Sequence, residues 1–173
     1  MSKTSTRWYL RHDSESVIVD APAEAIYDLV AEITRMGDWS PETARVEWIE
    51  GATGPTVGAR FVGHNISGPF NLLRWSRRGT VRAADRGREF TFATEEGGKE
   101  GTVWSYRFEQ RDGGTRVTES YSVECIPLWA RIVDVPTNRA KQLRDGMQQT
   151  LGQLKTAAEA TAKITPSQPS PTA

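Results

Sequence analysis

Apolar positions along this chain change their period twice, and each change marks an element boundary. Val17, Ile18 and Val19 form a β-branched run that suits a pleated surface and predicts a strand. Pro22 fits the first position of a helix, where its missing N–H is no loss, and Glu24 falls in the electropositive first turn. Ile26, Leu29, Val30 and Ile33 then recur at i, i+3, i+4 and i+7, one apolar stripe along a helix. Gly37 and Pro41 stop that pattern on either side of Trp39, which predicts a second, short helix broken there. Beyond Pro41 the period drops to two. Strands are predicted over 44–49, 59–66, 72–83, 89–94, 102–110 and 115–124, each bounded by turn residues. Asp112-Gly113-Gly114 is the strongest hairpin signal. The helical period returns over about 138–162, with Ala140, Leu143, Met147, Thr150, Leu151, Leu154 and Ala158 on one stripe.

Successive strands joined by short Gly-containing turns imply an antiparallel meander, and a curved sheet of that kind can wrap around one long helix. The expected class is α+β. About seven strands curve around the C-terminal helix, with two short helices after the first strand. One helix does not fill such a concavity, so a cavity between helix and sheet is expected. A single domain is expected over 8–163, with flexible termini at 1–7 and 164–173; the Pro/Ser/Thr-rich end has a disordered composition.

Several motifs carry a family likeness in their order and spacing. They are Val19-Asp20-Ala21-Pro22-Ala23-Glu24 with Tyr27 and Leu29, Trp39-Ser40-Pro41, Gly58-Ala59-Arg60-Phe61, Trp104-Ser105-Tyr106, and Gly113-Gly114-Thr115-Arg116-Val117-Thr118-Glu119. With them the chain resembles the START-like superfamily with its helix-grip fold, in the polyketide cyclase/dehydrase-like (SRPBCC) bacterial branch. The resemblance covers roughly residues 15–160. It implies a cavity for a hydrophobic or amphipathic small molecule. It does not imply one reaction, because such a fold hosts many functions.

Charge and composition remove other classes. Lys and Arg total 22 and Asp and Glu 22, so no net charge draws the chain to nucleic acid or an anionic membrane. The arginines between Arg74 and Arg88 are interleaved with Asp85 and followed by Glu89, which reads as a solvated sheet face; no nucleic-acid partner is expected. The single cysteine, Cys125, excludes an intramolecular disulfide and suits a reducing compartment. The N-terminus lacks the apolar core of a signal peptide and no run approaches a membrane span. A cytoplasmic location without integral membrane association is expected, and the oligomeric state is not readable. His12 and His64 have no metal-ligand spacing, so neither a metal nor a cofactor is expected. Gly51, Gly54 and Gly58 do not follow a dinucleotide spacing.

Strand alternation sorts side chains by face. Phe61, Gly63 and Asn65 point inward by this rule, as do Phe90 and Phe92, and Trp104, Tyr106 and Phe108. Leu73, Trp75, Arg77, Gly79 and Val81 share the inner face of the long strand; Val117, Glu119, Tyr121 and Val123 share that of the last. Candidate ligand contacts are therefore Phe61, Asn65, Trp75, Phe92, Trp104, Tyr106 and Tyr121 on the sheet, with Leu143, Met147 and Leu151 on the helix. Glu119 and Arg77 are the two charges expected on an apolar interior, and a buried charge needs a partner or a task. In one reading Glu119 is an acid/base or holds a polar group of the ligand, and Arg77 binds a carboxylate or enolate oxygen. In the other they pair with each other or reach solvent. The aromatics are read either as cavity wall or as ordinary core. Segment 126–133, around Trp129, is a mobile lid or a packed crossover.

Three functions remain open: binding of a lipid-like or polyketide-like molecule as carrier, sensor or sequestering protein; a cyclase/dehydratase-type enzyme acting on a carbonyl compound; and a protein-interaction module. The chemistry is expected on the strands and the C-terminal helix, with Trp39 serving as packing.

Overall fold

The computed structural model describes residues 12–67, 72–124 and 139–164. Its strands are β1 (His12–Val19), β2 (Thr43–Ile49), β3 (Arg60–Ser67), β4 (Leu73–Asp85), β5 (Glu89–Glu96), β6 (Lys99–Arg111) and β7 (Gly114–Val123). Helix α1 (Ala23–Ala31) and a 3-10 helix (Ile33–Asp38) follow β1, and helix α2 (Arg139–Ile164) follows the sheet. All seven strands form one antiparallel sheet in the order β1-β7-β6-β5-β4-β3-β2. Strands β2 to β7 are a meander, as sequential strands with short turns require, and the first strand returns to pair with the last. This is the α+β helix-grip arrangement. Cys125, the 126–133 segment, the terminus at 1–7 and all of the 164–173 terminus but Ile164, the last residue of α2, lie outside the described residues.

Strand β1 starts five residues before the Val17-Ile18-Val19 run. Its early inward positions are Asp13 and Glu15, polar residues that an apolar pattern does not register. They are held by α2: Arg144 donates to Asp13 Oδ2 at 2.6 and 2.8 Å and lies 3.7 Å from Glu15. Further along, Lys155 Nζ donates to the Ile18 carbonyl at 2.6 Å, and the Asp20 N–H donates to Glu159 Oε1 at 3.0 Å. Helix α2 thus rides along β1 on a polar ladder.

The space between helix and sheet divides in two. One end is dry core. Ile26, Tyr27, Val30 and Ile33 pack there with Phe90, Phe108 and Val117 of the sheet and with Leu151, Leu154 and Ala158 of α2. Tyr27 meets Phe90 and Phe108 edge-on at centroid distances of 6.1 and 5.9 Å. The 3-10 helix ends at Trp39, which is buried with the Arg35 guanidinium 5.3 Å over its ring. With its amide oriented to satisfy both neighbours, Gln153 of α2 donates to the carbonyls of Asp38 and Trp39 at 2.8 and 3.3 Å. That bond ties the broken helix to α2.

Close approach forces glycine at Gly79 and Gly114. A Cβ on Gly79 would stand 2.3 Å from Phe61 Cζ, so only glycine lets that ring lie flat on β4. Gly114 holds φ at 136°, and a Cβ there would stand 2.3 Å from the Val19 carbonyl oxygen.

Candidate functional site

Helix α1 covers only one end of the concave sheet, so the N-terminal half of α2 spans the other end without filling it. A cavity of about 400 Å³ remains there. Its wall is aromatic on the sheet side, from Phe61, Trp75, Phe92 and Trp104. Leu143, Met147 and Thr150 form the helix side. The aromatics brace one another: Phe61 meets Trp48 and Phe92 edge-on at 6.2 and 5.4 Å. This bracing fixes the Phe61 and Phe92 rings in the wall.

Eight of the ten ligand-contact candidates line this cavity: Phe61, Asn65, Trp75, Phe92, Trp104, Tyr106, Leu143 and Met147. Two do not. Leu151 belongs to the dry core, one helical turn past Met147 on the side that α1 fills. Tyr121 is buried against Trp104, centroids 5.4 Å apart, and is not part of the lining. Leu73, expected on the inner face, is 62% exposed because β4 begins beyond the rim. His64 lies on the outer face, with Nδ1 2.9 Å from Ser76 Oγ.

Arg77 and Glu119 both line the cavity, but they are not paired to each other. Arg77 Nη2 lies 2.7 Å from Glu96 Oε2 at the mouth, where the Arg77 side chain is partly exposed. Across the mouth Arg139, at the start of α2, donates to Glu42 Oε2 at 2.7 Å. Two ion pairs therefore flank the entrance. Sequence reasoning missed Glu96 and Glu42 because both sit next to turn signals. It also discounted the segment after the first helix, which contributes Met36, Ser40 and Pro41 to the rim. Thr43 Oγ1, on the same rim, donates to Ser40 Oγ at 3.1 Å and approaches Asn65 Oδ1 at 3.5 Å.

Glu119 lies inside. Its residue is 4% exposed, and on β7 it stands directly opposite Tyr106 of β6. The Tyr106 hydroxyl donates to Glu119 Oε1 at 2.8 Å. Oε2 is buried with no hydrogen-bond partner among the described residues. Burial pushes the carboxyl up to about 8 from its ordinary 4.5, against the opposing effect of the Tyr106 hydrogen bond. Burial, the adjacent carboxyl and that same hydrogen bond hold the Tyr106 phenol well above its usual range. At neutral pH Glu119 is therefore mainly an acid carrying its proton, a hydrogen-bond donor rather than an anion. Among the described residues no group of His, Cys, Asp and Glu is placed to hold a metal ion, and no helix is long and apolar enough to cross a membrane.

The comparisons with known proteins agree with this architecture. No curated protein matches the chain. Among solved structures, a polyketide-cyclase-like protein of Corynebacterium glutamicum is 27% identical with a TM-score of 0.58, over 91% of this chain and 96% of that one. The di-domain ARO/CYC protein StfQ of the steffimycin biosynthetic pathway superposes with a TM-score of 0.72 at 15% identity, over 91% of this chain and 53% of StfQ. An AHSA1-like protein of Aeromonas hydrophila gives a TM-score of 0.58 at 19% identity, over 91% of this chain and 97% of that one. The family described as polyketide cyclase / dehydrase and lipid transport matches residues 12–159, the whole of the sheet and most of α2, and the chain belongs to that family.

Proposed function

We propose that the chain binds a hydrophobic or amphipathic small molecule between the sheet and the N-terminal half of α2, as a carrier, sensor or sequestering protein. The observation that carries this reading is the cavity of about 400 Å³ itself, walled by four large aromatics in a fold that packs its other end densely. A pocket of this size and lining suits a small apolar ligand. The two ion pairs at the mouth suit a polar end that stays near solvent.

Gly63 gives a direct test. It lines the cavity, and a Cβ added there meets only the Arg77 carbonyl oxygen at 3.9 Å. Gly63→Leu should fold normally and fill the space. Native mass spectrometry of the purified protein, with binding of an environment-sensitive naphthalene dye, should show occupancy in the wild type and its loss in Gly63→Leu. Equal dye binding by both proteins, or none by the wild type, would sink the reading.

A second reading, turnover of a carbonyl compound, is supported by the Tyr106–Glu119 pair. A carboxyl titrating near 8 is poised as a general acid at neutral pH. In this reading Glu119→Gln keeps binding and abolishes turnover; an active Glu119→Gln enzyme would rule it out.

A further inference from the structure

Glu119 belongs to the cavity lining, and its carboxyl has one oxygen hydrogen-bonded and the other buried without a partner among the described residues. Tyr106 gives its only proton to Oε1, so Oε1 is an acceptor already in use. The acid proton then belongs on Oε2, the buried atom with no partner among the described residues. The charged groups around it do not change this. Glu15, its register partner on β1, faces Arg144 of α2 at 3.7 Å. Arg77 is engaged by Glu96, and Arg139 by Glu42. The other neighbours in the wall, Met147 and Thr150 of α2 and Phe92 of β5, carry no charge. A donor left unpaired in such a place is costly unless something accepts from it.

Resting on the reading of the cavity as a ligand site, we infer that Glu119 is an uncharged donor that selects ligands with a hydrogen-bond acceptor, such as a carbonyl oxygen, at their buried end, and that its ionisation releases them. Tyr106 is the positioning residue: its hydrogen bond to Oε1 fixes which carboxyl oxygen presents the proton. When the proton leaves to solvent, Oε2 becomes an acceptor facing the ligand's own acceptor. Attraction turns into repulsion. The change falls in the mildly alkaline range, in keeping with the raised pKa of the carboxyl.

The test is equilibrium dialysis of fluorene and fluorenone, apolar tricycles that differ by one carbonyl oxygen. The readout is the ratio of their affinities, which cancels most of the hydrophobic contribution. Near pH 6 the ratio should favour fluorenone roughly five-fold more in the wild type than in Glu119→Met, the worth of one neutral hydrogen bond. In the wild type this advantage should vanish as pH rises through about 8. Tyr106→Phe removes a hydrogen bond that favours the charged form, so it should move that midpoint upward. A ratio that is equal in wild type and Glu119→Met, and flat with pH, overturns the inference and leaves the cavity reading standing. Failure of both tricycles to bind overturns the cavity reading and this inference with it. Should Glu119→Met not fold, the wild-type pH profile decides alone.

Discussion

Replacing Glu119 by Gln should make the protein more resistant to unfolding at alkaline pH. In the folded chain burial pushes the carboxyl to about 8, against an ordinary 4.5. Between those values the native state holds a proton that the unfolded chain has lost, so stability must fall as pH rises through the window. Below about 4.5 both states are protonated and the penalty is absent; above about 8 both are ionised and it is constant. At about 1.4 kcal/mol per unit, the full penalty is roughly 5 kcal/mol, of which about 4 develops between pH 5 and pH 9. Glutamine keeps an oxygen for the Tyr106 hydroxyl and a donor at the Oε2 position, and it does not titrate. Urea unfolding of both proteins across that range isolates the Glu119 contribution, because every other titrating group is common to the two. The difference in unfolding free energy should grow by about 4 kcal/mol with pH, of order 10 °C in Tm for a chain of this size. Two curves that stay parallel to within about 1 kcal/mol would show that the carboxyl is not held in an apolar setting, and the reasoning would fail.

Other perturbations probe the frame around the cavity. Gly79→Ala drives a Cβ into the Phe61 ring, 2.3 Å from Cζ, and should cost about 1–3 kcal/mol in urea unfolding while narrowing the cavity; a neutral result would mean that the ring moves freely. Leu154→Ala empties a fully buried position where α2 meets α1 and should cost about 2–5 kcal/mol without changing the affinity of any cavity ligand, measured by dialysis. Thr115→Val removes the buried hydroxyl that donates to the Ala21 carbonyl at 2.8 Å, and should cost about 1–2 kcal/mol by thermal unfolding.

Much of the sheet is written in local pattern, because each strand from β2 to β7 pairs with its sequence neighbour and is bounded by turn residues. What pattern does not carry is polar residues that face inward and find partners far away. Asp13 and Glu15 lengthen β1 only because Arg144, over a hundred residues later, meets them. Arg77 was legible as an interior charge from alternation alone, whereas its partner Glu96 lay beyond the expected end of its strand. The Tyr106–Glu119 pairing was within reach. With a two-residue connection Asp112-Gly113, register counts back from Arg111 opposite Gly114 to Tyr106 opposite Glu119. Treating Gly114 as part of the turn hid it. The division between cavity and dry core was not legible, since Leu151 and Met147 share one stripe and differ only in what α1 covers.

The ladder from α2 to β1 also governs how this sheet meets other chains. β1 and β2 are its two edges, and an edge strand with free backbone groups is a template for an added strand. Lys155 occupies the Ile18 carbonyl, and Glu159 takes the Asp20 N–H just past the strand's end. A second chain docking there would have to displace the helix first. At the opposite edge Gly37 of the 3-10 helix lies close against the Thr43 and Ala44 carbonyls of β2, and the strand carries the ion-paired Arg45 and Glu47, side chains that a zippering strand must desolvate. The helix that frames the cavity thus also caps the end of the first strand, and strand addition at Ile18 would have to break a contact that the cavity's own frame depends on.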